Sequence, residues 1–193
     1  MFKLKTFLAA ALLAVTAQAW AAPILSADAT PTPATAGARL DVDVRIADIV
    51  DVFAYQFTLN YDASLLQATG ISEGSFLGAG GPTDWFVLGI DNDAGSISFV
   101  LGSLVGAVPG VSGSGNLASI AFQAIGIGNA ALSFSDVLFL DSSLNDIDVE
   151  FGNLTIGIAP ASGNVPEPAS LALFGIGLAG AGLLRRRAAL ARV

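Results

Sequence analysis

Arg39-Leu40-Asp41-Val42-Asp43-Val44-Arg45-Ile46 alternates a charged residue with an aliphatic one over its whole length. Side chains along a strand point to opposite faces with a period of two, so this stretch reads as a strand with one face in a core and the other in water. Downstream, Phe53, Tyr55, Phe57, Leu59 and Tyr61 alternate with Ala54, Gln56, Thr58 and Asn60 in the same way. Further apolar segments run over residues 85–90, 97–101, 117–125, 130–134, 137–140 and 147–158. Between them, residues 78–82, 91–95, 109–115 and 126–129 are rich in Gly, Pro, Asn and Ser, which favour turns. Short strands joined by tight connections predict an all-β domain, an antiparallel β-sandwich whose inner faces make one core. Residues 23–37 read as an extended lead and a turn, and residues 63–68 as one helical turn capped by Asp62.

The two ends of the chain differ from this middle. Lys3 and Lys5, the apolar run from Phe7 to Val15, and Ala17-Gln18-Ala19 or Ala19-Trp20-Ala21 have the order of a secretory signal peptide, expected over residues 1–21. At the other end come Val165-Pro166-Glu167-Pro168, an apolar run from Ala169 to Leu184, and Arg185-Arg186-Arg187. The prolines exclude a helix interior, the run after them predicts a hydrophobic helix, and the arginines form a positive-inside stop. At about 1.5 Å per residue the run is roughly 24 Å long, so it crosses a bilayer only with help from its flanks. The expected organisation is a signal peptide at 1–21, a folded domain at 22–161, and a sorting and anchor segment at 165–188.

All sixteen acids lie between Asp28 and Glu167, where Arg39 and Arg45 are the only bases, giving that stretch a net charge of −14. Such a surface opposes nucleic acid and anionic lipid. The sequence contains neither histidine nor cysteine. Thiol and imidazole chemistry, including Ser-His-Asp and Cys-His arrangements and the usual zinc sites, is therefore excluded. Lysine occurs only in the signal peptide, and no pair of carboxylates is singled out for separate acid and base roles. The expectation is a non-enzyme without a cofactor.

Three stretches are candidates for binding. Trp85, after Gly78-Ala79-Gly80-Gly81-Pro82, either stacks on a sugar ring or sits in the core. Asp91-Asn92-Asp93-Ala94-Gly95-Ser96 carries oxygen ligands for a hard cation but lacks the spacing and terminal Glu of an EF-hand, and reads as a hairpin turn. Asp141, Asn145, Asp146 and Asp148 crowd one loop and are the better calcium candidates, against a solvated turn.

Two resemblances bear on these expectations. Phe57-Thr58-Leu59-Asn60-Tyr61-Asp62-Ala63-Ser64-Leu65-Leu66, then residues 112–122 and 132–137 with Asp141, resemble in order the motifs of a cohesin domain, over roughly Ala36 to Ile158. The resemblance implies a jelly-roll sandwich related to carbohydrate-binding modules, and binding of a protein partner through one sheet face. Pro166-Glu167-Pro168, the Gly-rich apolar run and the terminal arginines resemble the PEP-CTERM sorting signal of Gram-negative bacteria. That tail implies transient anchoring in the inner membrane, processing by an exosortase-like enzyme, and delivery to the cell surface or extracellular matrix. The chain has one cohesin-like copy and no dockerin, so its partner stays open. Two alternatives stand beside a protein partner: exopolysaccharide binding through Trp85, and a structural role in a biofilm matrix.

Overall fold

The structure is a computed structural model that describes residues 22–161. The signal peptide and sorting segment, with Val165, Pro166, Glu167, Pro168, Arg185, Arg186 and Arg187, lie outside the described residues. Ten strands follow in order: β1 (Ile24–Thr30), β2 (Ala34–Thr35), β3 (Arg39–Tyr61), β4 (Leu66–Glu73), β5 (Thr83–Asp91), β6 (Ser96–Leu104), β7 (Val111–Ala124), β8 (Gly128–Asp141), β9 (Glu150–Phe151) and β10 (Leu154–Ala159). A 3₁₀ turn, Leu77–Gly80, lies between β4 and β5.

Strand β3 is the spine. Its first half pairs with β1 and β7, and its second half with β6 and β8. One layer therefore runs β9-β1-β3-β7-β4 and the other β2-β10-β8-β3-β6-β5, which makes the sandwich the alternation predicts. Residues 39–46 and 53–61 are not two strands, as their separate patterns suggest, but one strand that passes from layer to layer. At the crossing, Asp48 and Asp51 adopt φ of 55° and 56° and the register with β7 slips. The slip changes which residues point inward, from Leu40, Val42, Val44 and Ile46 to Tyr55, Phe57, Leu59 and Tyr61.

The crossing is held by residues expected in a loop. Ser114 Oγ accepts from the Asp48 amide and Ser112 Oγ from the Asp51 amide, each at 2.9 Å. Asp51 in turn accepts from the Gly110 amide at 2.8 Å and the Ser142 hydroxyl at 2.7 Å. The Gly/Ser-rich tract is thus the start of β7, and its hydroxyls satisfy amides that the bulge leaves without ladder partners. The Ser142 hydroxyl outweighs desolvation and, with the amides of Gly110 and Ser142, holds the Asp51 carboxyl below its ordinary 3.8. Asp141 is lowered as well, first by the Asn145 side chain. A carboxyl depressed by folding stabilises the fold above its unfolded pKa, and that contribution is lost as pH falls through the folded value. Melting temperature should therefore decline on acidification below roughly pH 4, and Asp51→Asn, measured in parallel by circular dichroism, should show a smaller decline.

The inner faces close on aromatic contacts. Tyr55 stacks on Phe57 and on Phe139 at 6.1 Å, Phe57 meets Phe134 edge-on at 5.8 Å, and Tyr61 meets Phe122 edge-on at 5.0 Å. Tyr55 also donates its hydroxyl proton to the Leu117 carbonyl of the opposite layer at 2.9 Å. Among the described residues the buried apolar side chains form one cluster from Leu25 to Ile158, a core of the kind on which a domain folds alone. Burial, reinforced by the Glu73 charge, drives the Tyr55 phenol well above its ordinary value, and burial also raises Tyr61. A phenol raised by folding stabilises the fold below its unfolded pKa and ceases to do so as pH rises. Because these are the chain's two tyrosines, tyrosinate absorbance near about pH 10 should be smaller in the folded domain than in the chain unfolded by denaturant.

Four local expectations change. The lead before Arg39 contains a full strand, β1, in register with β3 from Ile24–Ala47 to Thr30–Asp41. Asp62 does cap a turn, accepting from the Ser64 amide at 2.9 Å, but the chain returns to strand at Leu66 instead of continuing a helix. Residues 130–134 and 137–140 are one strand, β8, with Asp136 at φ 51° between them. Residues 147–158 hold two short strands, β9 and β10, instead of one.

Candidate functional site: the outer face of strands β5, β6, β3 and β8

Opposed residues on antiparallel strands share a face, so the register identifies which side chains meet across the second layer. One row runs Trp85–Gly102–Tyr55–Phe139, and the next runs Phe86–Leu101–Gln56–Leu138. Tyr55 and Phe139 are buried, so the first row faces the core. The second row therefore faces out, and so does a third, Asp84–Ser103–Ala54–Leu140.

This outer face is apolar. Phe86 is 56% exposed, Leu88 62%, Phe99 42% and Leu138 40%. Between them lies a shallow groove of about 60 Å³ lined by Ala54, Tyr55, Gln56, Leu101, Leu138 and Leu140. Its volume is well below the roughly 300–1,000 Å³ of small-molecule pockets. Phe99 is exposed because its φ of 48° marks a bulge, where its amide donates to Thr58 Oγ1. Acids stand at the margins as Asp84 and Asp136, and the domain's bases, Arg39 and Arg45, lie on the half of β3 that belongs to the other layer. A broad apolar face rimmed by polar groups marks a macromolecular contact surface.

Trp85 is not part of this face. It is half-buried against the core, opposite Gly102, where a Cβ would come within 2.6 Å of the Tyr55 ring. Its indole N–H is sealed from solvent. Of the two readings of Trp85, this placement agrees with the core one: strand alternation exposes Phe86 and turns Trp85 in. The Asp91–Ser96 stretch is the hairpin turn between β5 and β6, with Gly95 at φ 71°. Asp91 Oδ1 accepts from the amides of Asp93 and Ala94, and the Asn92 amide clamps both backbone groups of Ala68.

Of the four calcium candidates, the structure brings Asp141 and Asn145 together, but as hydrogen-bond partners. Asp141 Oδ1 accepts from the Ser143 and Asn145 amides at 2.8 Å, and its carboxylate also accepts from Asn145 Nδ2. Asp146 and Asp148 line a separate hollow beside Val137, Phe139 and Phe151. Among the described residues no three Asp or Glu side chains gather as a metal site requires. Also among the described residues, no helix is long and apolar enough to cross a membrane.

The face was legible in part. Gln56 and Ala54 stand out as the polar or small partners of an alternating strand, whereas Phe86, Leu88, Leu101 and Leu138 lie in apolar segments that do not say which side chains face out. Only pairing shows that those runs are apolar on both sides.

Residues 27–158 match the cohesin domain family, and residues 164–187 match the PEP-CTERM protein-sorting motif. No curated protein is similar to the chain at a significant level. Among solved structures, the chain is similar to a non-cellulosomal cohesin from the archaeon Archaeoglobus fulgidus, with 22% identity and a TM-score of 0.56 over 72% of this chain and 92% of that one. It is similar to the sixth cohesin of scaffoldin B from Acetivibrio cellulolyticus, solved in complex with a Cel5 dockerin mutant, with 21% identity and a TM-score of 0.61 over 72% of this chain and all of the other. The second type II cohesin of the ScaA scaffoldin of the same organism aligns at 18% identity and a TM-score of 0.61, over 78% and 98%. These likenesses confirm the sandwich. Cohesin domains are non-catalytic protein-interaction modules, and the sorting motif indicates export with C-terminal membrane anchoring. The chain belongs to the cohesin family.

Proposed function

We propose that this is an exported binding module that recognises a protein partner of dockerin-like kind through the outer face of β5, β6, β3 and β8. The observation that carries the reading is the apolar row Phe86–Leu101–Gln56–Leu138 on an otherwise acidic domain. The Acetivibrio cellulolyticus cohesin with the same fold is bound to a dockerin, which supports a protein ligand here. The face suits a partner that brings apolar side chains for its centre and basic ones for Asp84 and Asp136.

An exosortase-like enzyme would process the tail near Pro166-Glu167-Pro168 and release the domain to the surface or matrix of a Gram-negative cell. Exopolysaccharide binding has less support, since the ring proposed to carry it is turned inward. A calcium ion on the Asp141 loop would need Asp141 to give up its amide contacts.

The test is capture by immobilised residues 22–161 from envelope and matrix extract of the native host, with bound proteins and glycans both identified. A protein retained after glycosidase treatment, and lost when Leu138 is changed to Asp, supports the reading. Retained polysaccharide that is indifferent to Leu138 overturns it.

A further inference from the structure

Among the described residues the sandwich has four edge strands, and they are not alike. Strands β2 and β9 have two residues each, and β4 is interrupted by a register shift between Ala68 and Gly70. Short length and bulges are the usual ways in which an edge is kept from pairing with another chain. Strand β5 has nine residues, pairs with β6 alone among the described residues, and carries no Lys or Pro. From Trp85 to Ile90 it has no charge, and Phe86 and Leu88 are more than half exposed. A long, apolar, unprotected edge of this kind is a template for a further strand.

We propose that β5 pairs antiparallel with β5 of a second copy, joining two sandwiches through one continuous sheet. The strand is complementary to itself. With the twofold axis at Phe86, Phe86 opposes its own copy, Trp85 opposes Val87, and Asp84 opposes Leu88. Aromatic and β-branched pairs are the favourable cross-strand neighbours, and no acid meets an acid. Strand β5 keeps one register with β6 from Thr83–Leu104 to Asp91–Ser96, so its free edge is regular, and the axis at Phe86 centres the contact on Asp84–Leu88. Both copies are strongly acidic, so association strengthens as salt screens their repulsion.

The experiment is sedimentation equilibrium on residues 22–161 at low and moderate salt, with variants that read the register by the sign of a charge. Wild type is expected to dimerise, more tightly at the higher salt. Leu88→Asp sets two Asp pairs across the axis and is expected to raise the dissociation constant at least about tenfold. Leu88→Lys faces Asp84 instead and is expected to bind at least about tenfold more tightly than Leu88→Asp. The double variant Asp84→Lys with Leu88→Asp is expected to recover the loss. These positions are exposed, so circular dichroism should show an unchanged fold. A wild type that stays monomeric at every concentration overturns the proposal, as does equal weakening by Leu88→Asp and Leu88→Lys. Leu138→Asp, on β8, is expected to leave self-association intact, which separates this edge from the partner-binding face.

Discussion

Leu138→Asp is expected to weaken partner capture by roughly 100-fold while leaving the melting temperature of residues 22–161 nearly unchanged. Leu138 lies at the far end of the outward row from Phe86 and is 40% exposed, so the free domain loses little by the change. In a complex the same position is expected to be covered. A buried, unpaired carboxylate would then replace an apolar contact, and leaving a charge without a partner in an interface costs several kcal/mol. Leu101→Asp, one rung along the same row, is expected to act in the same direction. Titration calorimetry with the captured protein reads the affinity, and thermal melts read the fold. If Leu138→Asp binds as wild type does, the partner uses another surface.

The largest expected loss of stability belongs to Phe57→Ala, at about 3–5 kcal/mol by denaturant unfolding. Phe57 is fully buried, stacks on Tyr55 and meets Phe134 edge-on. Truncation removes a whole ring from between rings whose positions are fixed by their own strands, so the hole cannot close. By contrast, Leu88→Ala on the exposed side of β5 is expected to change stability by less than about 0.5 kcal/mol. A small effect at Phe57 would mean that the layers can move together to fill the space.

Much of the fold follows from period two alone. Residues 39–46 and 53–61 show their inward faces because polar and apolar residues alternate there. What the alternation cannot show is that both stretches belong to one strand. A bulge looks like a turn in the sequence, since Asp48 and Asp51 are residues that turns also favour. Strand β1 was hidden for a different reason: Ile24-Leu25-Ser26-Ala27-Asp28-Ala29-Thr30 is rich in small residues with weak strand preference, and it is held by its ladder to β3. The Ser112 and Ser114 hydroxyls were illegible because their partners are more than sixty positions away.

The site was harder to see than the fold. Residues 85–90 are apolar without interruption, and such a run does not say which side chains face out. Trp85 drew attention by size, whereas its partners Gly102 and Tyr55 decide its place. In the Asp141–Asp148 loop, likewise, the sequence does not show that the Asp141 carboxylate accepts from the loop's own backbone.

The ladder between β10 and β8 has a mechanical consequence. Its register runs antiparallel from Leu154–Leu132 to Ile158–Gly128, and the chain leaves β10 at Ala159, beyond the Gly128 end of that ladder. Leu138 lies past its other end, on β8. A pull on the C-terminal end, opposed by a load held near Leu138, draws β10 and β8 in opposite directions along their axes. Ladder hydrogen bonds lie across the strands, so such a force shears the rungs together instead of opening them one after another. A force applied at those two points thus travels along β8 and β10 within one layer.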